Sequence, residues 1–320
     1  LGDVYKRQPL NRSDSLQAWI PRGLLELPSQ FPVPACTLEG LTPVQMQWCD
    51  GVLEDLRPLD ADQSPPAHVV LPRFVDAHVH LDKAFTWQHH PNLLGTYEGA
   101  LNANLVEHQS RSVEVVLSRG ERALQQAFTH GLRAVRSHID SGGHGAASSW
   151  EALELLQRRW HGRVELQLVA LAPLAFWTSA EAESMAKRLA RCDGLLGGVL
   201  DPSMLGAAVD QQLKALLRLA DRHGLAVDLH IDEADHAPAQ GMKQLLRALQ
   251  ISPVAVPITC SHASSLSLLS QSALQRLGER MMLANLQVVA LPLTNAWLLK
   301  RRSDICLLYT SDAADESSSG

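Results

Sequence analysis

The stretch Phe74-Val75-Asp76-Ala77-His78-Val79-His80-Leu81-Asp82-Lys83 decides how this chain is read. It closes an apolar, β-branched run with two histidines spaced two apart, and residues i and i+2 of a strand face the same way. His78 and His80 therefore aim two imidazoles at one spot, which is how a strand end holds a metal. Two ligands never complete a site, so the pair alone reads equally well as two solvated histidines. Three further apolar runs end alike: Val135-Arg136-Ser137-His138-Ile139-Asp140, Val227-Asp228-Leu229-His230-Ile231-Asp232-Glu233 and Ile258-Thr259-Cys260-Ser261-His262-Ala263. Four such ends imply one shared site.

Outward from these runs, strands alternate with helices. Strand patterns cover Leu71 to His80, Ala134 to Asp140, Glu165 to Leu171, Leu195 to Leu200, Ala226 to Ile231, Val256 to His262 and Val288 to Pro292. Helical spacing of apolar residues covers Val113 to Thr129, Trp150 to Trp160, Ala180 to Arg191, Gln211 to His223, Met242 to Leu249 and Ser272 to Leu286. Short, apolar, regularly alternating strands predict an α/β fold of the (β/α)8 TIM-barrel type, with its chemistry at the C-terminal strand ends. No Gly-x-Gly-x-x-Gly follows a strand, which weakens a dinucleotide-binding reading, and Ser141-Gly142-Gly143-His144-Gly145 reads as a flexible loop.

Upstream, residues 9–70 are proline-rich, and Asp50-Gly51 between Val44–Cys49 and Val52–Leu56 predicts a hairpin in a small N-terminal β region. The stretch Asp60 to His68 reads as a linker into a barrel over residues 71–304. Residues 1–8 back-translate to CTC GGA GAT GTG TAT AAG AGA CAG, and 305–311 to a stretch containing its reverse complement. Residues 1–8 and 305–320 are therefore expected to be translated sequencing-adapter sequence, with a disordered tail, and the barrel to be a fragment truncated before its eighth strand.

The 320 residues are 46% hydrophobic with a formal net charge of −6, which gives no basic footprint for nucleic acid. Five scattered cysteines lack Cys-x-x-Cys spacing and read as reduced thiols. No apolar run reaches a membrane span of about 20 residues. A cytoplasmic protein with a small cyclic molecule as partner is expected, with no nucleic acid and no membrane; homo-oligomer assembly is left open.

The ordered series His78-Val79-His80-Leu81-Asp82, Arg136-Ser137-His138-Ile139-Asp140, His230-Ile231-Asp232-Glu233, Ser261-His262 and Pro292-Leu293-Thr294-Asn295 resembles the amidohydrolase superfamily, in its cytosine-deaminase-like branch. The resemblance runs from about Leu71 to Trp297. It implies that His78, His80 and His230 ligate one divalent metal ion, zinc or iron, that Glu233 is the proton shuttle, and that His262 lies beside the attacking water. The family's last ligand, an aspartate on the eighth strand, has no counterpart here. Its pyrimidine-reading glutamine aligns nearest to Pro173, with Gln167 close by, which puts cytosine itself in question.

The chemistry agrees with these roles. Three protein ligands and an open position lower the pKa of a bound water to about 7. Attack on a C=N or amide carbon then needs a group that carries a proton to the ring nitrogen or leaving amine, and Glu233 lies just past His230. An imidazole at His262 can hydrogen-bond the water or the developing oxygen. Glu233 could instead cap a helix. The run Gly194 to Leu200 carries no lysine to bridge two metals, so a mononuclear site is expected. The resulting expectation is a hydrolase of C–N bonds other than peptides, with deamination of cytosine or a related aminopyrimidine or aminotriazine leading. A cyclic amide hydrolase and a non-catalytic metal-binding barrel are the alternatives, and the activity of the fragment as written is left open.

Overall fold

The computed structural model describes residues 14–25, 36–59, 64–202 and 206–299. The chain divides into two compact units, Leu1–Arg73 and Phe74–Gly320. In the first, β1 (Asp14–Pro21), β2 (Leu41–Cys49) and β3 (Val52–Pro58) form an antiparallel sheet in that order. Asp50 and Gly51 both have positive φ, 51° and 79°, the geometry of a two-residue hairpin whose twist matches its strands. Ile20, Leu25 and Val44 form its buried apolar cluster.

In the second unit β4 (Phe74–Val79), β5 (Leu132–Asp140), β6 (Glu165–Leu171), β7 (Leu195–Leu200), β8 (Val227–Ile231), β9 (Ile258–His262) and β10 (Leu286–Val289) form one sheet. Every neighbouring pair is parallel and the spatial order is the sequence order. A doubly wound sheet reverses its order at a switch point, and this one does not. It is a singly wound TIM-type barrel sheet, with β4 and β10 its outer strands among the described residues.

Between the strands run α1 (Tyr97–His108), α2 (Val113–Thr129), α3 (Ala146–Trp160), α4 (Ala182–Arg191), α5 (Ala207–His223), α6 (Gln240–Ile251) and α7 (Gln271–Leu283), and α8 (Pro292–Leu298) follows β10. Their apolar stripes bury Trp150, Trp160, Leu153, Leu156, Leu213 and Leu245 against the outward faces of the strands. None of the described helices is long and apolar enough to cross a membrane.

Several element ends differ from the sequence expectation by one to four residues, and the two ends of the barrel sheet differ in ways that matter here. The last strand is Leu286–Val289 rather than Val288 to Pro292, because Pro292 takes the first turn of α8, where its missing N–H costs nothing. The first barrel strand starts at Phe74 instead of Leu71. The expected adapter-like ends, and the position where an eighth strand would follow, lie outside the described residues.

Candidate metal centre

The strand ends bring five imidazoles together. β4 delivers His78 and the turn after it His80, β5 delivers His138, β8 His230 and β9 His262. Ring centroids are 4.0 Å apart for His78 and His138, 4.6 Å for His78 and His230, and 4.9 Å for His230 and His262. Nε2 of His80 lies 3.3 Å from Nε2 of His230.

Burial makes these rings neutral. It lowers His78 to about 3 and His262 to about 4, and drives His80, His138 and His230 well below the usual histidine range. Neutral imidazole is the form that ligates metals. Both ring nitrogens of His78 and His138, Nδ1 of His80 and His230, and Nε2 of His262 are buried without a hydrogen-bond partner. Such a concentration of unsatisfied buried donors and acceptors calls for a further occupant.

Three of these imidazoles stand close enough together to hold an ion. Nitrogens of His78, His138 and His230 all lie within 4.8 Å of one another. The 3.3 Å between His80 and His230 matches the edge of a tetrahedron with zinc–nitrogen bonds of about 2.0–2.1 Å, roughly 3.3–3.4 Å. The donor set therefore fits a divalent ion. His80 joins this group through its close approach to His230.

Glu233 and His262 stand beside the cluster. Nδ1 of His262 is 3.2 Å from Oε1 of Glu233 and 3.2 Å from Oδ1 of Asn295 on α8. With two oxygen acceptors on that side the proton belongs on Nδ1, which leaves Nε2 as an acceptor. Burial, reinforced by the charge of Asp201, raises Glu233 to about 8. Asp201 follows β7 and is itself raised to about 6 by burial, against the pull of its Tyr97 hydrogen bond. It accepts the Glu233 backbone N–H at 3.1 Å and the Tyr97 hydroxyl at 3.0 Å.

The backbone at these strand ends is strained. Asp232, His262 and Ala263 have φ of 54°, 72° and 48°, left-handed values that cost of order 1–3 kcal/mol each in non-glycine residues. Ala263 N–H donates to Ile231 O at 2.9 Å and Ser265 N–H to Asp232 O at 3.0 Å, which locks the bends. The capping role considered for Glu233 belongs to its neighbour: Asp232 accepts from Gly241 N at 2.8 Å and Met242 N at 2.9 Å at the start of α6.

Gln167 lies below the strand ends, and Pro173 just past the end of β6, bridged to Val199 of β7. Gln167 pairs in register with Arg136, one inward layer below His138, and accepts from Arg136 Nε at 2.8 Å. Arg136 also binds Asp228 at 2.7 Å, and Asp228 accepts from Ser261 at 2.7 Å. This network floors the site, so Gln167 does not reach the strand-end rim. Pro173 is exposed and precedes a short 3-10 turn, Leu174–Thr178. At the rim Lys83 and Arg111 both bind Asp140, at 2.9 Å and 3.0 Å. Burial opposes the Asp140 charge, but these two cations hold its carboxyl well below the usual range.

The sequence reading gives no role to His138, Asn295, Asp201 or Tyr97. The signal for His138 is present in the alternation Arg136, His138, Asp140, which faces inward as a set. Asp201 directly follows the apolar run Leu195–Leu200, a strand end at which a bridging lysine is the residue to look for and a carboxylate is easily passed over.

No family model matches the chain. It is 30% identical over 289 residues to a pterin deaminase of Rhizobium rhizogenes, covering 85% of this chain and 65% of that protein. It is 26% identical over 203 residues to an N-isopropylammelide isopropyl amidohydrolase of Pseudomonas sp., covering 61% and 50%. The chain thus spans half to just under two thirds of the length of these relatives. Among solved structures, a 5-methylcytosine deaminase from Klebsiella pneumoniae bound to phosphonocytosine superposes with a TM-score of 0.70 at 18% identity, covering 89% of this chain and 68% of that one. That likeness is one of fold. The named sequence relatives are a deaminase and an amidohydrolase.

Proposed function

We propose that this chain carries the catalytic barrel of a metal-dependent hydrolase of the amidohydrolase superfamily, which removes an amino or alkylamino group from a small nitrogen-containing ring. The observation that carries the reading is the convergence of His78, His80 and His230 with Glu233 and His262 at one set of strand ends. His78, His80 and His230 would hold one zinc or iron ion. A divalent ion so held supplies a Lewis acid that brings the pKa of a coordinated water to about 7.

The chain's own residues do the rest. His262 keeps its proton on Nδ1, toward Asn295 and Glu233, so its Nε2 can accept a hydrogen bond from the attacking water and fix its direction. Glu233, raised to about 8 by burial in the ion-free site, can exchange a proton near neutral pH, taking one from that water and delivering it to the ring nitrogen or the leaving amine. The strand ends bury Glu233 and His262 and keep bulk water from competing for that proton.

Pterins, aminotriazines and aminopyrimidines are the substrate classes proposed, since the names of the relatives speak of pterin and isopropylammelide. Cytosine is the weaker member, because Gln167 is engaged with Arg136 below the site. An ammonia and alkylamine release screen over these rings, with zinc or iron added, tests the proposal. Metal-dependent release from at least one class is expected. Ring opening of cyclic amides with no amine released would redirect the assignment to a cyclic amide hydrolase, and turnover unaffected by chelation would overturn it.

A further inference from the structure

We infer that Asp201 is a positioning residue whose two oxygens hold helix α1 and the backbone of Glu233 separately, so that one carboxylate seats α1 over the strand ends and sets Glu233 in place. The inference rests on reading Glu233 as the proton carrier.

Three observations support it. First, Asp201 is only 5% exposed and divides its two oxygens: Oδ1 accepts the Glu233 N–H and Oδ2 the Tyr97 hydroxyl. Second, α1 is held to the strand ends largely by polar links. Tyr97 reaches Asp201 after β7 and Asn104 reaches Asp140 at the end of β5, at 3.1 Å, while Leu101, Leu105 and Val106 remain exposed. A helix with few buried apolar contacts opens at low cost. Third, Glu233 sits in a segment whose other side is fixed by Asp232, clamped onto the start of α6. Asp201 supplies the remaining constraint on its backbone. The groups facing the Glu233 carboxyl are Asp201 after β7, Lys83 after β4 and His262 on β9, with Tyr97 of α1 beyond Asp201.

The test compares Tyr97→Phe, Asp201→Ala and Asp201→Asn in the full chain by amide hydrogen exchange, with the Glu233 carboxyl titrated by carbon-13 NMR. Loss of one hydrogen bond speeds local exchange by about fivefold. Tyr97→Phe is expected to speed exchange across Tyr97–His108 and leave the Glu233 amide as it was. Asp201→Ala is expected to speed both, and Asp201→Asn, which keeps an acceptor oxygen, to restore the Glu233 amide. Amides of β6 stay unchanged throughout. In Asp201→Asn the Glu233 midpoint moves down, because a neighbouring negative charge is gone, and a purely structural role for Asp201 would not move it. A Glu233 amide indifferent to Asp201→Ala, equal acceleration in β6, or an unmoved midpoint in Asp201→Asn overturns the inference. Should Asp201→Ala fail to fold, the other two variants decide. None of these readouts needs turnover, so a failed ammonia screen removes the proposed function and leaves this test standing.

Discussion

Nε2 of His80 and Nε2 of His230 lie 3.3 Å apart although 150 residues separate them in sequence. Only the barrel register does this: three strands lie between β4 and β8 in the sheet, and their inward-facing ends meet at its axis. Both rings are buried and neutral, so one Nε2 can donate to the other, or both can turn toward a shared cation.

Replacing Glu233 by Gln is expected to leave metal content unchanged and lower turnover by about 10²–10⁴-fold, since an amide hydrogen-bonds but carries no proton. Elemental analysis beside an ammonia-release assay separates the two effects. Activity within a few-fold of the parent would remove Glu233 from the mechanism.

In ion-free protein the histidines should make the fold acid-sensitive. His78 titrates near 3 in the folded state against about 6.5 unfolded. Between those values the unfolded chain binds the extra proton, so stability falls as pH falls through that window. The raised acids oppose this: Glu233 near 8, with Asp201 and Asp228 near 6, favour the folded state more as pH falls toward about 4 and add no further change below it. His78→Gln should therefore shrink the loss of stability between pH 6 and pH 3, by a few kcal/mol at most, since each tenfold change in proton affinity is worth about 1.4 kcal/mol. Urea midpoints across that range measure it, and an unchanged slope would show that His78 is not buried neutral.

Gly241→Ala probes the seat of α6. A β-carbon there would stand 2.5 Å from the backbone oxygen of Leu200 and 3.1 Å from Oδ1 of Asp232. Backbone cannot rotate away as a side chain can, so a loss of about 1–3 kcal/mol is expected. Because the same move displaces the Asp232 clamp, turnover should fall along with the thermal midpoint. A neutral substitution would mean that α6 has freedom the packing denies.

Much of this is legible in the sequence, and the exceptions have physical causes. β6 and β7 match their sequence readings residue for residue, because short, mostly apolar runs leave little alternative for a buried parallel strand. α1 escapes because its apolar residues face solvent: Leu101 and Leu105 make no stripe that packs on a core. Asp201 and Tyr97 escape because each is ordinary by itself, and only the fold brings two residues 104 positions apart into a hydrogen bond. Gln167 illustrates the reverse case. Nearness in sequence to a strand end suggests a rim position, and the register places it a layer deeper with Arg136.

The central claim is that the histidine cluster is a metal centre, and metal stoichiometry tests it most directly. Protein stripped with chelator, dialysed against limiting zinc or iron and assayed by elemental analysis should bind one ion per chain. His230→Ala and His78→Ala should bind far less, and a surface control such as His161→Ala should match the parent, since His161 is largely exposed and distant in sequence from every strand-end histidine. An unmutated chain that binds no ion, or His230→Ala and His78→Ala chains that bind as much as the parent, would contradict the account.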